Sequence, residues 1–361
     1  MKENKPNINL LLRKNIRSLV PYSSAREEYQ GENAVFLDAN ENPFNAPYNR
    51  YPDPYQHKLK QRISDLKKVK PDQIFLGNGS DEAIDLIIRA FCEPGIDNMI
   101  GIKPTYGMYR VCADINNVEY REAMLKPDYQ LNKTSLLGLA DKNSKLMFLC
   151  SPNNPTSNSF LRDDLVFLIR NFNGLVVLDE AYIDFSKTPS MAVELDRFPN
   201  LIILQTLSKA WGMAGIRLGM AFASEEIITV LNHIKYPYNV NVLTQRMALK
   251  QLDSNGNKDT WIRTILKQRS WLERELSQLP GIIKILPSDA NFLMVKFERP
   301  SEVYGFLVSR KIIVRDRSRV DLCEGFLRIT IGTMQENTQL LNSLKEFFLL
   351  EANNKTNPRL S

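Results

Sequence analysis

Between about residues 58 and 225, short and wholly apolar runs alternate with segments of helical period, and this rhythm limits the chain to few architectures. The runs Gln73 to Leu76, Asn98 to Ile102, Lys145 to Cys150, Leu175 to Leu178, Leu201 to Leu204 and Leu218 to Phe222 are predicted strands. Helices are predicted at Asp81 to Cys92, Gly107 to Ala113, Arg162 to Asn171 and Glu225 to His233. Strands without polar alternation, separated by helices, belong in a mainly parallel sheet covered on both faces. Ligands of such an α/β domain sit at the carboxyl ends of its strands.

A long charged helix from Thr260 to Leu279 breaks the rhythm. After it the pattern gives strands at Ile282 to Leu286, Phe292 to Phe297, Ile312 to Arg315 and Phe326 to Ile331, with helices at Ser301 to Ser309 and Gln335 to Leu350. The expected class is therefore α/β: a large domain over residues 41–254, and a smaller α+β domain over 255–361 accompanied by the arm 1–40. Residues 1 to about 30, which include Pro21-Tyr22, read as an arm packing on the second domain or on another subunit. The polar tail Glu351 to Ser361 is expected to fray.

Composition removes several function classes. The chain has 361 residues and a formal charge of +6, with basic residues dispersed rather than clustered, so nucleic acid is not an expected partner. Cys92, Cys112, Cys150 and Cys323 stand far apart without a CxxC pair, and they read as reduced core residues of a cytoplasmic protein. The two histidines, His57 and His233, read as surface residues, so zinc hydrolysis and Ser-His-Asp chemistry are poor fits and no metal is expected. Neither a signal peptide nor a membrane span is visible.

The predicted strand ends carry the chemistry. Thr206-Leu207-Ser208-Lys209 follows an apolar strand, and Arg217 comes eight residues after the lysine. Burial disfavours a charged amine, so Lys209 suits a Schiff-base nucleophile, with Thr206, Ser208 and Arg217 as a phosphate grip. A lysine capping a surface turn is the competing reading. Leu175 to Leu178 deliver Asp179, Glu180 and Tyr182. Asp179 suits either Mg²⁺ in a nucleotide hydrolase or the protonated ring nitrogen of pyridoxal phosphate, but the hydrolase needs a GxxxxGK[ST] loop and none is present. Gly77-Asn78-Gly79-Ser80-Asp81-Glu82 opens a helix whose amides at Ser80 and Asp81 suit a phosphate, with a plain capping turn as the competing reading. Asn154 in Asn153-Asn154-Pro155-Thr156 offers a donor to a ring oxygen or is only turn chemistry, and Tyr106 offers a flat face for stacking or simply packs.

Taken together with Pro21-Tyr22, Asn40-Glu41-Asn42-Pro43, Arg50-Tyr51-Pro52, Pro237-Tyr238-Asn239-Val240-Asn241, Val314-Arg315-Asp316 and Leu327-Arg328-Ile329-Thr330, these motifs resemble the fold type I, aspartate aminotransferase-like pyridoxal phosphate enzymes, and most closely their histidinol-phosphate aminotransferase family. The resemblance covers nearly the whole chain. It implies pyridoxal 5'-phosphate as cofactor, held by Lys209, with Asp179 at the ring nitrogen, Asn154 and Tyr182 at the ring oxygen and Tyr106 stacked. Ser80, Asp81, Thr206, Ser208 and Arg217 would hold the phosphate, and Tyr51 would arrive from the other subunit of a homodimer.

For the substrate, the resemblance implies Arg328 at its anionic end; Arg315, Tyr22, Asn40, Asn239 and Tyr51 are expected around it, with a solvated cation in the run Arg315-Asp316-Arg317 as the competing reading of Arg315. The implied reaction moves an amino group between L-histidinol phosphate and 2-oxoglutarate, yielding L-glutamate. Two departures from the family pattern are Ser157, where glycine is usual, and Tyr236, where proline is frequent. Rival readings are an aromatic aminotransferase, a threonine-phosphate decarboxylase and a pyridoxal-dependent regulator. The regulator would need a DNA-binding domain larger than the arm.

Overall fold

The structure is a computed structural model that describes residues 6–22, 35–254 and 256–356. The ends of the chain, residues 1–5 and 357–361, and the arm residues 23–34 lie outside the described residues.

Seven strands form the larger sheet: β1 (Ile74–Asn78), β2 (Asn98–Lys103), β3 (Glu119–Met124), β4 (Ser144–Cys150), β5 (Leu175–Asp179), β6 (Leu201–Thr206) and β7 (Leu218–Phe222). Their order is β1-β7-β6-β5-β4-β2-β3. The pairs from β6 to β3 are parallel, whereas β7 runs antiparallel to both of its neighbours.

Successive side chains explain the continuous apolar runs. On β5, Val176 and Leu178 pack into the core on one face while Leu175 and Val177 pack into the core on the other. On β1 the same division separates Ile74 and Leu76 from Phe75. A strand buried on both sides has no solvent face on which polar residues could alternate.

The edge strand β3 was not expected. Its sequence Glu-Tyr-Arg-Glu-Ala-Met buries only Tyr120 and Ala123, and charged residues on a sheet edge look like a loop in sequence while protecting that edge from further pairing. Helix His57–Lys67 was missed for a similar reason, since only Leu59, Lys60 and Ile63 of its residues are buried. Helices Lys133–Gly138 and Val242–Asp253 were also unanticipated.

The smaller sheet contains β8 (Ile282–Ile285), β9 (Phe292–Phe297), β10 (Arg315–Asp316) and β11 (Phe326–Thr330), ordered β10-β11-β9-β8 and antiparallel throughout. Leu293, Val295, Leu327 and Ile329 pack on one face against helices Gly256–Leu276, Pro300–Ser309 and Met334–Thr356, through residues such as Leu272, Leu307 and Leu344. Arg328, lying between Leu327 and Ile329, is thereby directed to the opposite face, towards the larger sheet.

Three expectations are corrected. The strand placed at Ile312 to Arg315 shrinks to a two-residue pairing at Arg315–Asp316, because Lys311 adopts φ 61° after the helix and leaves Ile313 in solvent. The polar tail is helical as far as Thr356. The described start of the arm packs on the larger domain rather than the second: Ile8 and Leu12 join the core around helix Ser80–Phe91, and the Arg13 amide donates to Ala90 O at 3.0 Å. All four cysteines are buried thiols, as expected. Among the described residues, no helix is long and apolar enough to cross a membrane.

Candidate active site

The carboxyl ends of β1, β2, β4, β5 and β6 meet the amino end of the reversed strand β7 at one cavity of about 420 Å³. It is lined by every predicted cofactor residue except Tyr51: Ser80, Asp81, Tyr106, Asn154, Asp179, Tyr182, Thr206, Ser208, Lys209 and Arg217. Arg315, Arg317 and Arg328 enter from the smaller sheet.

At one end of the cavity stands an anion cradle. Ser80 begins a twelve-residue helix whose first amides have no partner within the helix. The Thr206 hydroxyl bridges Ser208 Oγ at 3.0 Å and Leu218 O at 3.3 Å, which fixes the turn leading to Lys209. Because β7 is reversed, Arg217 sits just ahead of it at the same edge, and its carbonyl accepts from the Gly79 amide at 2.9 Å. Two glycines keep the cradle open. A Cβ on Gly79, at φ +81°, would meet Arg217 Nη2 at 2.7 Å, and one on Gly219 would meet Ser80 N at 2.1 Å.

Deeper in the cavity, Asp179 is only 3% exposed. Burial pushes its carboxyl pKa up, while hydrogen bonds from the Tyr109 hydroxyl at 2.7 Å and the Ala181 amide at 2.9 Å hold it down in part. Lys209 Nζ lies 5.4 Å from the centre of the Tyr182 ring. Burial, then the Arg328 charge, lowers its pKa below the ordinary lysine value, against the opposing pull of Asp179 and Asp81. The Tyr106 hydroxyl donates to Asp81 Oδ1 at 3.2 Å.

On the opposite wall, Arg315 and Arg328 are paired residues across β10 and β11. Like charges placed directly opposite each other destabilise a sheet, and an anion between them would offset that repulsion. Arg328 Nη1 donates to Asn154 Oδ1 at 2.5 Å and lies over the Phe292 ring at 5.3 Å. Arg317 was missed. Its amide donates to Phe326 O at 3.0 Å and extends the ladder one step past β10. Residues two apart on a strand share a face, so the spacing Arg315-Asp316-Arg317 was the available signal. Among the described residues, the buried Arg317 Nε has no hydrogen-bond partner. Burial first, then Arg328 and Arg315, lower its affinity for a proton.

Tyr22, Asn40, Asn239 and Tyr51 do not line this cavity. Asn239 instead donates to Leu76 O at 2.9 Å and to Glu82 Oε1 at 3.0 Å, clamping the start of helix Ser80–Phe91. Tyr22 borders a separate hollow with Tyr55, Lys235 and Pro237. Asn40 is exposed at φ 54°. Tyr51 stacks on Tyr238 at 4.5 Å, and its loop is held by Glu41, which accepts from Arg50 Nη1 at 2.7 Å and from the Tyr51 amide at 2.5 Å. Ser157 keeps the left-handed turn that glycine would take, at φ 68°, and its hydroxyl donates to Thr156 O at 2.5 Å and to Pro287 O at 3.2 Å.

The family model for aminotransferases of class I and II matches residues 30–344. A protein of Parabacteroides distasonis called histidinol-phosphate aminotransferase is 57% identical over 94% of this chain and 98% of its own length. One of the same description from Bacteroides fragilis is 56% identical over 93% and 98%. Among solved structures, the histidinol-phosphate aminotransferase of Sinorhizobium meliloti in complex with pyridoxal-5'-phosphate superposes with a TM-score of 0.74 at 23% identity, covering 82% of both chains.

Proposed function

The chain belongs to the class I and II aminotransferases and, within them, to the histidinol-phosphate aminotransferases, and on that premise we propose that it transfers the amino group of L-histidinol phosphate to 2-oxoglutarate, giving imidazole acetol phosphate and L-glutamate. The observation that carries the substrate is the convergence of Arg315, Arg317 and Arg328 on the cavity that also holds Lys209 and Asp179. Such a wall suits a dianionic phosphate better than a lone carboxylate, because planar guanidinium forks bind phosphate oxygens in pairs.

The donor set fits pyridoxal phosphate. A cradle of helix amides, two hydroxyls and Arg217 suits its phosphate. A buried carboxylate that burial disfavours, Asp179, suits its protonated ring nitrogen. When bound, the group supplies an electron sink for the charge left at carbon as a proton departs. Ser80, Thr206, Ser208 and Arg217 bind its phosphate end, with Asp81 offering its backbone amide, and Tyr106 covers the ring face. Since Arg328 occupies Asn154 Oδ1, the Asn154 amide group is left to donate to the ring oxygen beside the Tyr182 hydroxyl. Lys209, biased towards its neutral form, first anchors the cofactor and later takes the proton from the substrate carbon bearing the amino group. Arg328 then serves both substrates in turn, meeting a phosphate in one half-reaction and a carboxylate in the other.

The active unit in this reading is a cytoplasmic homodimer, with Tyr51, Tyr22 and Asn40 serving the neighbouring subunit's site. Supporting this, Leu37, Phe44 and Tyr236 are exposed near the Tyr51 loop, at 89%, 76% and 77%. Mixing Tyr51→Phe and Lys209→Ala subunits should yield heterodimers that carry one site with both native residues. A fully active monomer would refute the shared site.

The function is tested by loading the protein with pyridoxal phosphate, reducing with borohydride and mapping the label by mass spectrometry, then assaying glutamate formation from L-histidinol phosphate. A label away from Lys209, equal turnover of dephosphorylated histidinol, or carbon dioxide release from threonine phosphate would overturn it.

A further inference from the structure

Beside the cavity, the buried hydroxyl of Tyr109 takes no part in the chemistry described so far. Tyr109 stands on helix Met108–Ile115 and is fully buried. Its ring is fixed between Phe148 of β4, at 5.0 Å, and Tyr106, which it meets edge-on at 5.5 Å and 86°. Its hydroxyl donates to Asp179 Oδ2 at 2.7 Å. The other oxygen, Oδ1, accepts from the Ala181 amide at 2.9 Å. Asp179 therefore receives one protein donor on each oxygen, and only the Tyr109 donor belongs to a side chain that a substitution can remove.

We propose that Tyr109 is a positioning residue for the transamination, holding Asp179 ionised and oriented so that the cofactor's ring nitrogen keeps its proton, and at the same time bracing the stacking residue Tyr106. The inference rests on the functional reading above. Burial, followed by the neighbouring Asp179 charge, raises the Tyr109 phenol well above its ordinary value, so it keeps its proton and acts as a donor. The other titratable groups facing Asp179 are Lys209, Asp81, Cys150, Tyr106 and Tyr182. Of these, Cys150 is held neutral by burial, and Lys209 is committed to the cofactor. No other neutral donor side chain bonds to the carboxylate among the described residues. Without the Tyr109 donor, Asp179 would be more basic and would compete more strongly for the proton of a bound pyridine ring. The bound ring would then carry less positive charge, and the nitrogen that Lys209 contributes would be easier to protonate.

The test uses Tyr109→Phe holoenzyme, which loses one oxygen and keeps the ring packing. The apparent pKa of the visible absorption band should rise. Turnover should fall roughly ten- to hundredfold, the range for removing a hydrogen bond to a charged group, with the Michaelis constants of both substrates unchanged. In an Asp179→Asn background the same substitution should change turnover by less than about twofold, because the partner it acts through is already gone.

Placing 3-fluorotyrosine at position 109 keeps the packing and strengthens the donor, so it should move the band in the opposite direction even where the Phe variant folds poorly. A wild-type holoenzyme with a normal band that neither change shifts overturns the role. An equal loss of turnover in both backgrounds also overturns it, marking Tyr109 as packing alone. A wild-type protein that gains no visible band with pyridoxal phosphate refutes the functional reading instead.

Discussion

Arg317→Met separates the two anions that the cavity is built to take. Arg317 is half-buried, its Nε has no protein partner, and Arg315 and Arg328 stand beside it. Truncating one member of a buried charge pair costs about 2 to 5 kcal/mol, and partial exposure places Arg317 at the lower end. About 2 kcal/mol corresponds to a roughly thirtyfold loss of kcat/KM for L-histidinol phosphate. In the proposed reading the 2-oxoglutarate carboxylate is met by Arg328, already aligned by Asn154 at 2.5 Å, so its KM should move by less than about threefold.

The empty protein should respond the other way. Removing one of three neighbouring cations relieves repulsion, so the unliganded Tm should rise while affinity for the phosphate donor falls. Steady-state kinetics with each substrate varied, together with calorimetry of the unliganded protein, reads both effects. Equal loss for both substrates, or a fall in Tm accompanying the loss of affinity, would refute the reasoning, since damaged packing lowers both together.

Asp179→Asn should slow the proton-transfer step about a hundred- to thousandfold, as for loss of a preorganised electrostatic partner, and single-turnover kinetics of the half-reaction would read it. Lys60, 7% exposed, has its pKa lowered to about 8 by burial and then by Lys235, whereas the unfolded chain keeps that proton to about 10.5. The resulting penalty, about 3 kcal/mol, is full below pH 8 and fades as pH rises to about 10.5. Lys60→Met should therefore stabilise the protein in urea titrations at pH 7 and lose that advantage by about pH 10.5. Gly219→Ala would place a methyl carbon 2.1 Å from Ser80 N, so it should weaken pyridoxal phosphate binding in equilibrium dialysis far more than it lowers Tm.

The strand-end residues were legible because each follows a strand buried on both faces, so the end of an apolar run marks the rim of the sheet. Lys209 after β6, Asp179 closing β5 and Asn154 after β4 were located by that rule and face one cavity. The rule fails where a strand is not wholly buried: β3 hides behind its charges, and β10 is too short to leave a period. Tyr109 carried no usable signal. A tyrosine one helical turn from Tyr106 reads as core, and only the fold, by setting helix Met108–Ile115 against β4, brings its hydroxyl to Asp179. The loop around Tyr51 and the Tyr22 segment lie away from the cavity of their own chain, because Tyr51 stacks on Tyr238 and Tyr22 borders a separate hollow, contacts that no local spacing announces.

The reversed strand β7 also sets the order in which the protein can be made. Strand β1 has only β7 as a sheet neighbour, and β7 lies far later in the sequence. During synthesis β1 therefore emerges without a partner and waits until residues 218–222 have left the ribosome, a closure between distant parts of the chain of the kind that slows folding. Gly79 at the end of β1 and Arg217 ahead of β7 are joined only by that late step. The phosphate cradle is thus a seam between an early and a late part of the chain, and a newly made molecule can grip its cofactor's phosphate only after the seam has closed.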